Sequence, residues 1–105
     1  MKFPDPNVGY LFDYHSQIID RGIRVSFLGG LVKIVFGFDR IASLHREVYS
    51  GGRISWDVIR WGKCPPGTAA VNVVLKNGLF RNHLIVFDQL EAAIQDLQQC
   101  DMTVE

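Results

Sequence analysis

Two dipeptides, Gly29-Gly30 and Asn77-Gly78, each sit between runs of β-branched and aromatic residues. Both reach positive φ at little steric cost, so each predicts a tight hairpin turn. A turn at Gly29-Gly30 pairs residues 23–28 with 31–36. It sets Phe27 opposite Val32, Val25 opposite Ile34 and Ile23 opposite Phe36 on one apolar face. Ser26 with Lys33 and Arg24 with Val35 then share the other face. A slip of one residue would destroy that sorting. A turn at Asn77-Gly78 likewise predicts Leu75 opposite Phe80, Val73 opposite Asn82 and Val71 opposite Leu84 facing inward. Asn72 and His83 would then meet on the polar side. Two half-buried ribbons need a common interior, which makes the chain β-rich.

The other segments are read around these ribbons. Residues 9–19 are rich in aromatic and β-branched types and predict a first strand, ended by a turn at Asp20-Arg21-Gly22. Residues 41–49 and 54–61 flank Gly51-Gly52 and predict a further pair with Arg46 opposite Asp57. Alternatively, Ser55 starts a short helix through Trp61. Residues 62–67 form a loop rich in Gly and Pro. Near the end, Asp88 with Glu91 three residues on predicts a capped helix start. Leu90, Ala93, Ile94 and Leu97 make its single apolar stripe.

At 105 residues and 48% apolar composition, one domain spans the chain. Residues 1–8 are an extended lead, 9–87 an antiparallel sheet and 88–100 a C-terminal helix. The composition excludes disorder and low complexity. The N-terminus lacks the apolar core of a secretory signal, and residues 25–38 are too short and interrupted to span a bilayer. The protein is therefore expected to be cytoplasmic, with Cys64 and Cys100 as free thiols. Eleven basic against eleven acidic residues argue against a dedicated nucleic-acid binder.

The segment 36–44, Phe-Gly-Phe-Asp-Arg-Ile-Ala-Ser-Leu, resembles one in bacterial pleckstrin-homology-like proteins where an outgoing strand runs into the next. Gly37 stands where that pattern has proline, and Arg40 where it has an acidic residue. Asp20-Arg21-Gly22-Ile23 is similar to the same family's turn into its second strand. Leu75-Lys76-Asn77-Gly78, followed by Asp88 and a short helix, is similar to its ending. The resemblance covers most of residues 9–99. It implies an α+β, mainly β fold: an antiparallel barrel or strongly curled sheet of six to seven strands with one C-terminal α-helix. It also implies an interaction module, since bacterial relatives are often oligomeric.

Catalytic and cofactor motifs are weakly represented. His15, His45 and His83 have no paired spacing that would gather metal ligands, so no metal or cofactor is expected. Cys64 has no following helix to lower its pKa, and no phosphate loop or nucleophile elbow is present. The expectation is a non-enzymatic protein, with an enzyme using Cys64 as the minor alternative. Trp56 and Trp61 are candidate aromatic anchors for a partner; the plainer reading places one of them in the core.

Charge is laid out unevenly. Between residues 21 and 81 lie Arg21, Arg24, Lys33, Arg40, Arg46, Arg53, Arg60, Lys63, Lys76 and Arg81, against only Asp39, Glu47 and Asp57. Residues 82–105 carry Asp88, Glu91, Asp96, Asp101 and Glu105 and no Lys or Arg. A neutral total thus conceals a basic body and an acidic end. The charges either pair within the fold or bring copies of the chain together. The expected partner is the protein itself or another protein. An anionic ligand or acidic membrane surface on Arg24, Lys33, Lys76 and Arg81 is the alternative; Gly29-Gly30 is too tight a loop for a basic lipid cradle.

Overall fold

The computed structural model describes residues 7–8, 13–49, 58–78 and 80–105. Among these residues the fold is α+β and mostly β, with two open sheets and one α-helix near the C-terminus. The first sheet is an antiparallel meander of β2 (His15–Ile19), β3 (Gly22–Phe27) and β4 (Val32–Gly37). Its β3–β4 register matches the sequence expectation at every pair from Ile23–Phe36 to Phe27–Val32. Ile23, Val25 and Phe36 are buried on one face, while Lys33 is exposed on the other. The turn is longer than two residues, because Leu28 to Leu31 all lie outside the ladder. At the opposite end Gly22 faces Gly37, and a Cβ at Gly22 would stand 2.2 Å from the Phe36 carbonyl oxygen. Only glycine lets the two backbones approach this closely. The strand expected over residues 9–19 is described only as β2, His15–Ile19: Asp13 has φ 50°, off the extended conformation, and residues 9–12 lie outside those described.

A single 3-10 turn, Phe38–Arg40, carries the chain into the second sheet, and the Phe38 amide donates to the Arg21 carbonyl at 2.9 Å. This sheet holds five strands in the order β1 (Asn7–Val8), β6 (Val58–Trp61), β8 (Asn82–Ile85), β7 (Ala69–Leu75), β5 (Ile41–Val48). It corrects three expectations. β6 runs parallel to both β8 and β1, so the strands are not all antiparallel, and among the described residues the two sheets are not closed into a barrel. Residues 58–61 are strand rather than helix, but β5 pairs with β7 instead of β6. Arg46 therefore faces Val71, and its amide donates to the Glu105 carbonyl; Asp57 lies outside the described residues.

The third correction concerns the second hairpin. Val73 pairs with His83 and Asn72 with Leu84, one residue away from the expected register. The Leu75 amide donates to the Arg81 carbonyl at 2.7 Å, leaving residues 76–80 as a five-residue connection. That odd count turns every β8 side chain over relative to the expectation. β8 lies between β6 and β7 and is buried on both faces, Leu84 on one and His83 and Ile85 on the other. Ile85 joins the main core with Val71, Val73 and Trp61. Leu84 joins a smaller cluster of Tyr49, Val58, Cys64 and Ala70. Alternating hydrophobicity could not discriminate the two registers for such a strand.

Helix α1 (Leu90–Gln99) lays Ala93, Ile94 and Leu97 on the main core, as its stripe predicts. Its start is not the expected capping box: Gln89 occupies the cap position, with no side-chain hydrogen bond. Glu91 turns instead to Arg46, accepting two hydrogen bonds from the guanidinium. The helix ends in a Schellman motif, with the Met102 amide donating to Leu97 and the Asp101 amide to Gln98. Asp101 takes the left-handed φ of 62° that this motif requires. The chain then returns along the open edge of β5, where Val104 forms a parallel bridge with Leu44.

Candidate functional site

The sequence-predicted residues fall in separate places. Trp61 is 5% exposed and belongs to the core, so it is not a surface anchor; Trp56 lies outside the described residues. The Trp61 ring packs edge-on against Phe36, with centroids 5.9 Å apart, and its indole Nε1 donates to His83 Nδ1 at 3.0 Å. With Nδ1 accepting, the His83 proton sits on Nε2, which lies 3.0 Å from the Phe80 carbonyl. This imidazole is 6% exposed rather than outward-facing, a direct consequence of the β8 register. Burial holds its pKa below the usual histidine value, with the Phe80 carbonyl acting in the opposite sense. Both ring nitrogens are thus engaged in structure.

Cys64 is 2% exposed. Burial pushes its thiol pKa up, opposed in part by the nearby Arg60 charge. Arg60 itself stacks over the Tyr49 ring at 4.6 Å and donates to the Cys64 carbonyl at 2.9 Å. Tyr14 and Ser16 both donate to the Val86 carbonyl, at 3.0 and 2.8 Å, tying the first sheet to the chain leaving β8. Burial raises the Tyr14 phenol well above its usual pKa. His15 lies 2.8 Å from Asp13, and His45 bridges Ser43 and Glu105. Among the described residues no three His, Cys, Asp or Glu side chains gather as a metal site.

The basic candidates form two groups. Arg24 and Lys33 share the outer face of the β3–β4 hairpin, in pairs separated by the inward Val25–Ile34 pair. Lys76 and Arg81 are exposed at the two ends of the β7–β8 connection, where the Lys76 amide donates to the Arg40 carbonyl. Arg21 and Arg24 line one shallow surface hollow, with Asp20 beside them.

No family model, curated protein or solved structure matches the chain. The surface itself must therefore supply the functional reading. Among the described residues a groove of about 300 Å³ opens between β2 and α1. Ile18, Phe87, Ala92 and Ala93 give it apolar walls, and Asp88 and Asp96 stand among its lining residues. Its two walls are some seventy residues apart in the chain, so no local pattern could have pointed to it.

Proposed function

We propose that the protein is a non-enzymatic interaction module that associates with copies of itself, the basic body of one against the acidic helical end of another. The observation carrying this reading is what remains unpaired. Among the described residues Arg21, Arg24, Lys33, Arg40, Lys76 and Arg81 enter no ion pair, and neither do Asp88, Asp96 and Asp101. Arg46 and Glu91 pair across the fold, whereas these charges stay open to solvent and to a partner. Asp20 and Asp39 stand among the basic residues, but the body keeps a net positive charge and the helical end a net negative one. Regions of opposite net charge attract between molecules. A head-to-tail contact of this kind closes into a ring when the rotation permits.

The pleckstrin-homology-like resemblance supports an interaction role through element order, strands followed by one terminal helix. The parallel β6–β8 pair departs from that family's antiparallel pattern. Burial of Cys64 and its raised pKa speak against a thiolate nucleophile. No helix among the described residues is long and apolar enough to cross a membrane.

Light scattering tests the proposal. Multimers are expected at about 0.1 M salt, where the Debye length is about 10 Å, and dissociation at about 0.5 M. A monomer under both conditions rejects self-association. The alternative, an anionic ligand or acidic membrane surface, is favoured by the pairing of Arg21 and Arg24 in one hollow. Flotation with anionic vesicles at low salt tests it, and absence of binding removes it.

A further inference from the structure

The unpaired charges leave open where two copies would join. The hairpin apex supplies the missing half. Leu31 is 88% exposed and Leu28 39% exposed at the tip of β3–β4. Leu28 also adopts a left-handed φ of 54°, which L side chains bearing bulk rarely take. The turn thus holds two leucines outward on a strained backbone, beyond Phe27, whose ring packs 6.4 Å from Trp61. Lys33 follows two residues after Leu31, exposed and without an ion pair among the described residues.

The groove between β2 and α1 is the complement of this tip. It offers apolar contact from Ile18, Phe87, Ala92 and Ala93, and carboxylates at Asp88 and Asp96 that no described cation neutralises. At about 300 Å³ it is at the lower limit of ligand-pocket volumes, a size suited to side chains of a peptide turn. Leu31 is too exposed to be resting in its own chain's groove. We propose that the Leu28–Leu31 apex of one copy seats in the β2–α1 groove of a second, with Lys33 against Asp96 or Asp88.

This placement rests on the self-association reading and is separable from it. Leu31→Asp removes the apex and Ala92→Trp fills the groove; both positions are exposed, so the fold is retained, as circular dichroism would verify. Each variant alone should associate at least about tenfold more weakly than the parent at low salt, by sedimentation equilibrium. Mixed together, they should recover a two-chain species, because the apex of Ala92→Trp meets the intact groove of Leu31→Asp. If the parent associates and Leu31→Asp associates equally well, the seat is wrong while self-association stands. Variants that stay monomeric on mixing also overturn it. A parent that is monomeric at low salt removes both readings. Leu31-dependent flotation of such a monomer with phosphatidylserine vesicles would assign the apex to a membrane surface instead.

Discussion

His83 offers the sharpest test of how this chain is folded, because its position depends on a single residue of register. In the observed pairing the imidazole is buried against both Phe36 and Trp61 and accepts the indole hydrogen bond. His83→Ala strands the Trp61 donor in the core, which costs about 1–3 kcal/mol before any cavity term. For a domain of this size that lowers Tm by roughly 5–20 °C. A pH signature accompanies it. The folded imidazole has a depressed pKa, whereas the unfolded one titrates near 6.5 by the ordinary value. Below about pH 6.5 the unfolded state therefore takes up a proton that the folded state resists. The stability contributed by keeping His83 neutral is complete above that pH and is lost as the pH falls through the folded value. Urea titrations followed by tryptophan fluorescence, at neutral pH and near pH 5.5, measure both effects. The parent should lose more stability than His83→Ala on acidification, so the two curves converge. If the substitution changes stability by less than about 0.5 kcal/mol and the pH curves run parallel, the imidazole is in solvent and the register described here is wrong.

Gly62 has φ 93°, and a Cβ there would stand 2.6 Å from Tyr14 Cε1, so Gly62→Ala should lower stability by about 1–3 kcal/mol in urea titration. Arg46 and Glu91 stabilise one another on the surface, the hydrogen bond lowering the Glu91 pKa. Their small contribution should be present above the ordinary glutamate range, disappear as pH falls through the depressed value, and vanish in high salt. Thermal melts of Glu91→Gln beside the parent, at low and high ionic strength, check this. Cys100 is half-buried and Cys64 buried, so a thiol reagent at mildly alkaline pH should label Cys100 first and reach Cys64 only as the protein opens. Equal labelling rates in the native protein would contradict the second core cluster.

Local physics was legible in the chain wherever one face alone is buried. The β3–β4 register follows from Ile23, Val25 and Phe36 pointing one way while Lys33 points the other. The α1 stripe follows from the spacing of Ala93, Ile94 and Leu97. That information ran out at β8, which is buried on both faces, so Leu84 and Ile85 satisfied either register equally. It ran out again at Glu91, which bonds Arg46 across forty-five residues instead of capping its own helix. The division of charge was written in the sequence, since it needs only residue order. Which charges cancel, where the β2–α1 groove opens, and that His83 and Trp61 meet inside were decided by tertiary packing. Those outcomes depend on which distant segments share a surface, and strand insertion between β6 and β7 sets that neighbourhood without leaving a periodic mark.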